Sequence, residues 1–272
     1  MTIGEEIAAQ FARTWRAFRA QMEVLGPEDW RSAEDRYLVP ASLALHLVDT
    51  AHYYASPSRE AHHRTKPIAV DWEDAAPEEL PAREEVLAYA ADVEAMVARW
   101  LEGATDEEIL GQVFLVGYSS EVPTPELMEW IRTRNIGGVK IFGWNTEDTL
   151  KLAATVGTLQ QAAMENKDAI PLLVATDQEG GWIRHVKGST SETPGNMAIG
   201  ASGFPRDAYL SGYYIGKELA LLGINMNFAP VVDVNNNPLN PIIGVRSFGS
   251  DPQEVARLGA AMISSFLEKG VF

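Results

Sequence analysis

The sequence predicts an α/β chain with an all-α N-terminal segment, and three observations carry that prediction. Over roughly the first hundred positions apolar residues recur at alternating spacings of three and four, the period of amphipathic helices. Beyond Gly103 short apolar runs alternate with helical stretches in four successive strand–helix units, the pattern of a parallel sheet with right-handed crossovers. The second region turns on Pro171 to Gly181, PLLVATDQEGG, where a run of the kind buried on both faces stops on Asp177, then on a second acid and paired glycines. Ligands of parallel α/β sheets are held at the carboxyl ends of strands, so Asp177 is a candidate binding residue; the alternative is an aspartate capping the next turn.

Composition narrows the function classes. With 272 residues, 46% of them hydrophobic, the chain has material for one large or two ordinary domains. Its formal charge of −16 argues against nucleic-acid or anionic-membrane partners, which would be repelled at long range. Neutral or cationic small molecules remain. The absence of cysteine excludes disulfides, thiolate metal sites and cysteine nucleophiles. MTIGEEIAAQ lacks a basic region followed by an apolar one, and no apolar run reaches membrane-spanning length, so a cytoplasmic location is expected.

In chain order, Phe11, Trp15, Phe18, Met22 and Leu25 line one side of a helix that ends near Gly26-Pro27. A second helix is expected from Pro40 to Ala55, proline in its first turn and Pro57 past its end, with Leu43, Leu47, Ala51 and Tyr54 on one face. A third runs from about Ala82 to Leu101, aligning Val86, Ala90, Val93, Val97 and Trp100. Ser56 to Pro81, rich in proline, charge and histidine, reads as loop. His46 and His52, six apart, fall on different helix faces and do not make the i, i+4 pair of a zinc helix; His62-His63, flanked by arginines, reads as solvated loop. His46 is either a satisfied, partly buried histidine or a metal ligand.

TWRAFRAQMEVLGPEDW, then LVPASLALHLVDTAHYYA, then the third amphipathic helix resemble the DinB-like family of four-helix bundles over about residues 1–103. Several members bind a divalent metal through three histidines, and His46 occupies the position of the first. The resemblance thus implies a truncated bundle, because no later helix carries the closely spaced histidines that normally complete the set.

After Gly103, Thr105 to Glu108 reads as a capping box opening a short helix. Strands are expected over Val113 to Gly117, Gly138 to Phe142, Leu172 to Thr176 and Asn225 to Ala229. Helices are expected over Pro125 to Arg134, Thr146 to Glu165, about Arg206 to Leu222, and Pro252 to Lys269. A barrel and an open sheet both fit that order. No GxGxxG follows a strand and no GxxxxGK[ST] occurs; Gly200-Ala-Ser-Gly203 is placed in a loop, so dinucleotide and P-loop readings lose their support and no cofactor is expected. The strand ends carry Asp177 and Glu179, then Asp233 with Asn235 to Asn237, and Arg246 in a long loop. Acids and an arginine converging on one mouth suit a polyhydroxylated ligand, since carboxylates accept and guanidinium donates in fixed directions, and exposed Trp144 and Trp182 can stack on a sugar ring. The asparagine run reads equally as turn-building.

GQVFLVGYSSEVPTPELMEWI, GGVKIFGWN, PLLVATDQEGGWIRHV, TPGNMAIGA and INMNFAPVVDVNNNPLNPIIGVRSFGSDP, in that order, resemble the N-terminal barrel of family 3 glycoside hydrolases, close to the β-N-acetylhexosaminidase branch, from about Ala104 to Phe272. The resemblance implies an incomplete (βα)8 barrel of about four units over 104–272, preceded by the helical segment 1–103. It implies that Asp177 and Arg246 grip hydroxyls of the non-reducing sugar in the −1 subsite. Trp182 stands where many members have arginine, so contacts of that side chain do not carry over. The lysine–histidine motif that follows in the family, its histidine-bearing loop and its aspartate nucleophile are not in these residues.

A retaining glycosidase needs two carboxyl groups about 5–5.5 Å apart. The expectation is therefore a fragment that holds a β-linked sugar, such as an N-acetylglucosaminide or glucoside, with hydrolysis absent or weak. The alternatives are a non-catalytic carbohydrate-binding or interaction module and a metal-dependent DinB-like protein. Open strand edges must also be covered. The two incomplete halves can cover each other, a second copy can complete the barrel as a homodimer, or the reading frame is a fusion or a truncation.

Overall fold

In the computed structural model, residues 3–32, 39–56, 62, 64–70 and 75–272 are described. They fall into two compact units: Met1–Phe114 with Glu129–Gly137 and Ala163–Pro171, and Leu115–Met128 with Gly138–Ala162 and Leu172–Phe272.

The first unit contains α1 (Ile3–Val24), α2 (Pro27–Trp30), α3 (Pro40–Ala55), α4 (Arg83–Gly103) and α5 (Asp106–Gln112). The apolar stripe of α1 turns inward as expected: Met22 is buried and Trp15, Phe18 and Leu25 pack on the core, which also holds Trp30, Leu45, Val48, Val86, Tyr89 and Val93. Indole groups on this face are satisfied, Trp15 Nε1 donating to Ala90 O and Trp30 Nε1 to Pro81 O, each at 3.0 Å. On α3 the buried face differs from the expected one. Of the expected face Ala51 packs on the core but Leu47 is 41% exposed, while Ala41, Ala44, Leu45, Val48 and His52 are buried. The helix is apolar on more than one side, so its period did not fix which side packs. The side chains of Leu43 and Tyr54 lie outside the described residues. Thr105 caps α5 with the anticipated reciprocal bonds, Glu108 N to Thr105 Oγ1 at 3.3 Å and Thr105 N to Glu108 Oε2 at 2.7 Å.

The second unit is built on a parallel sheet of four strands in the order β1 (Leu115–Gly117), β2 (Gly138–Lys140), β3 (Leu173–Thr176) and β6 (Met226–Asn227). Its connections are helical: α6 (Pro125–Thr133), α7 (Thr149–Met164), and, after a hairpin, α8 (Asn196–Ser202) and α9 (Pro205–Leu221). The last helix, α10 (Pro252–Leu267), packs against α9. The strand–helix alternation is thus as expected, with strands shorter at their ends. Beyond α10, Asn227 N donates to Phe272 O at 2.6 Å and Phe272 N to Asn225 O at 3.0 Å, so the β6 edge is already partly paired.

The elements not expected include α2, the hairpin after β3 and α8. Residues after β3 form the antiparallel hairpin β4 (Gln178–Gly180) and β5 (Ile183–Arg184), turning through Gly180 and Gly181 at φ 86° and 57°. Gly200 and Gly203, placed in a loop by sequence, instead end α8, with Gly203 as its left-handed cap. Gly200 allows that helix to touch the chain at Phe248: a Cβ there would sit 1.7 Å from Phe248 O.

Candidate sugar-binding site

Backbone around Asp177 is fixed before its side chain is considered. Val139 pairs with Val174 and Lys140 with Ala175, so the ends of β2 and β3 are level. Asn225 bridges to β3, accepting from Val174 N at 2.7 Å and donating to Leu172 O at 3.0 Å. Asn227 does the same one step on, accepting from Gln178 N at 2.9 Å and donating to Gln178 O at 3.0 Å. Gln178 in turn pins the hairpin through both amide atoms to Val186 N and O. Side-chain amides thus replace ladder bonds where β6 is too short to supply them.

Asp177 follows directly after β3 and its Oδ2 is ion-paired with Lys140 Nζ, with His185 Nε2 at 3.8 Å. Lys140 leaves the end of β2 between two rings, 4.3 Å from the Phe228 centroid and 5.4 Å from that of Phe142. His185 is positioned by its backbone, whose N donates to Asp177 O at 3.2 Å and whose O accepts from Thr146 Oγ1 at 2.7 Å.

Glu179, two residues on, is buried, and Arg246 meets it through two parallel bonds, Nε to Oε2 at 2.9 Å and Nη2 to Oε1 at 2.6 Å. That hydrogen bonding raises the guanidinium pKa further above its ordinary value; burial opposes it, and the charges of Glu179, Asp233 and Asp177 add to it. Three carboxylates therefore act on one arginine. Asn196, at the start of α8, donates to Arg246 O at 2.8 Å and fixes the loop that carries it. A cavity of about 340 Å³ opens beside this pair, lined by Glu179, Trp182, Asn196, Met197 and Arg246 among others. Asp177 is outside its wall. Trp182 and Trp144 are exposed, 88% and 54%, as expected of stacking platforms; Trp144 stacks on Phe142 at 4.6 Å between centroids.

Asp177 and Arg246 each have a nearer partner, and the charge of Asp177 still acts on Arg246. Arg246 answers to Glu179, and Asp177 to Lys140. Glu179 stood out in sequence as a second acid after the strand, but Lys140 and His185 gave no signal there: a lysine after GGV reads as a strand surface residue, and only the sheet turns it toward Asp177.

In the helical unit, His46 is buried on α3. Its pKa is lowered to about 4, chiefly by burial, with Asp49 opposing and Lys66 assisting. His62 does not lie in a solvated loop as expected. It is buried, with Nε2 3.1 Å from Oδ1 of Asp49 on α3, a carboxylate that gives the imidazole a buried polar partner. His63 lies outside the described residues.

The sequence profile of the glycosyl hydrolase family 3 N-terminal domain matches residues 105–272. Beta-hexosaminidase A of Pseudoalteromonas piscicida is 46% identical over 153 residues, covering 54% of this chain and 25% of that protein. The beta-N-acetylglucosaminidase/beta-glucosidase of Cellulomonas fimi is 36% identical over 168 residues, covering 61% and 28%. Among solved structures, a family 3 beta-N-acetylglucosaminidase from Paenibacillus sp. str. FPU-7 superposes with a TM-score of 0.60 at 40% identity, over 62% of this chain and 32% of the other. The beta-N-acetylhexosaminidase of Beutenbergia cavernae gives 0.57 at 34% identity, over 62% and 52%. The chain therefore spans about a quarter of the length of the two curated relatives.

Proposed function

From the premise that this chain belongs to the glycosyl hydrolase family 3 N-terminal domain family, we propose that residues 104–272 form the first four units of a (βα)8 barrel and hold the non-reducing end of a β-linked N-acetylglucosaminide or glucoside. Asp177 accepts from sugar hydroxyls and Arg246 donates to them, while Trp182 and Trp144 offer ring faces. The observation that carries this reading is the Glu179–Arg246 pair lining an open cavity close to the carboxyl end of β3, where Asp177 follows the strand and its charge acts on Arg246. Relatives named as beta-N-acetylglucosaminidases favour the N-acetylated sugar.

Hydrolysis by these residues is proposed to be absent or weak. Asp177 is tied to Lys140, and Glu179 is buried and doubly bonded to Arg246, so both carboxyl groups are engaged by cationic side chains and neither is placed as a proton donor to a glycosidic oxygen. Titration calorimetry with N-acetylglucosamine tests the binding claim, and a chromogenic N-acetyl-β-glucosaminide and β-glucoside test the catalytic one. Binding lost in Arg246→Ala, with no turnover above background, is the expected result. Robust turnover abolished by Asp177→Ala overturns the non-catalytic half of the reading, and the absence of any sugar binding overturns the other. For residues 1–103, a DinB-like origin rests on the three-helix pattern.

A further inference from the structure

The helical unit holds a second cluster of titratable side chains, and we propose that Asp49, His52 and His62 form a binding site for a first-row divalent cation of the zinc, cobalt or nickel class. One ligand atom from each of the three residues lies within 4.8 Å of the others, and all three residues are buried. Asp49 and His52 are three apart on α3 and so share a face. His62 reaches them from the segment after the helix. Its ring meets that of His52 edge to face, 4.9 Å between centroids, and its Nε2 lies 3.1 Å from Asp49 Oδ1. Two imidazoles and one carboxylate are a borderline donor set suited to these ions, and three protein ligands leave a further position for water.

The surroundings are those of an oriented ligand set. Tyr89 donates to Asp49 Oδ1 at 2.8 Å, and its hydroxyl lies 2.7 Å from His52 Nδ1. Thr65 Oγ1 lies 3.1 Å from the other nitrogen of His52. The Tyr89 contact would fix the ring orientation, while a cation on Nε2 would take the place of the Thr65 hydroxyl. Lys66 Nζ occupies Asp49 Oδ2 at 2.7 Å. Lys66, Tyr89 and His62 together hold the two carboxylate oxygens and His52 stands beside them, so a cation entering here would find its donor atoms already assembled and would replace hydrogen bonds among them. Lys66 plays the complementary role: it neutralises Asp49 without the ion and opposes the ion by charge, so it sets the affinity. His46, the residue marked by sequence, is not one of the three.

The test uses the full chain after chelator treatment, titrated with Co²⁺ and followed by its visible absorption, with Zn²⁺ as competitor and circular dichroism to check folding. A single ion per chain is expected, with Zn²⁺ raising the thermal midpoint. His62→Gln and Asp49→Asn should each weaken binding by about 100-fold or more, and Lys66→Met should tighten it by about tenfold. Failure of both the parent chain and the Lys66→Met variant to take up stoichiometric Co²⁺ overturns the proposal. So does uptake unchanged in folded His62→Gln. These outcomes are independent of sugar binding.

Discussion

Arg246 grips the buried carboxylate of Glu179 with both arms of its guanidinium, and this pair ties the loop before α10 to the hairpin after β3. Replacing Arg246 with lysine keeps the charge but offers no planar fork. Arg246→Lys should therefore lower N-acetylglucosamine affinity by about tenfold or more. Arg246→Ala should also destabilise the fold by about 2 kcal/mol, less than the about 3–5 kcal/mol of a fully enclosed pair because the arginine side chain is 29% exposed. Calorimetry and urea unfolding read the two effects.

Asp177→Asn keeps shape and removes charge. Loss of a charge-assisted acceptor should weaken sugar binding by about 10–100-fold, and should leave Lys140 between its rings with no carboxylate opposite. The double variant with Lys140→Met should show strong coupling in a thermodynamic cycle, whereas Asp177→Asn combined with Leu47→Ala should be additive.

Gly200→Ala should destabilise the second unit by about 1–3 kcal/mol and lower the thermal midpoint by several degrees, because the added methyl meets Phe248 O. Phe248 lies two residues from Arg246, so sugar affinity should fall along with stability. An alanine at half-buried Gly249, where a Cβ meets nothing within 4 Å, is the control.

His46 predicts an acid limb of the stability curve. Its folded-state pKa, about 4, lies below the ordinary 6.5, so the unfolded chain binds the proton first as pH falls. Stability is then lost progressively between about pH 6.5 and pH 4, by up to about 3 kcal/mol, and the loss levels off below. The charged groups acting on this imidazole are Asp49, which favours protonation, and Lys66, which opposes it. Urea unfolding in chelator-containing buffer should show that limb flattened in His46→Gln.

Much of this architecture can be read from periodicity and punctuation. Pro40, Thr105 and Pro252 mark helix starts, and the apolar runs ending at Gly117, Lys140 and Thr176 mark strands. What escaped is what depends on pairing at a distance. The hairpin Gln178–Arg184 has no alternation to announce it: its strands pair over only two registers, interrupted by an irregularity, and Gln178 side-chain bonds to Val186 support them. Asp177 and Arg246 are visible as polar residues at the right punctuation, but their true partners are 37 and 67 positions away, Lys140 and Glu179. His62 misled for the same reason: its neighbours in sequence are charged, whereas its neighbours in space are Asp49 and His52.

The asparagine clamps on either side of Asp177 bear on the thermodynamics of recognition. Thr176 Oγ1 is bonded to Ile141 O, Gln178 N to Asn227 Oδ1, and Asp177 O to His185 N, so the aspartate hangs from backbone immobilised at three successive residues. On the proposed reading, a saccharide arriving there would find an acceptor whose aim is set in advance, and the ordering entropy of the complex would fall mainly on the ligand.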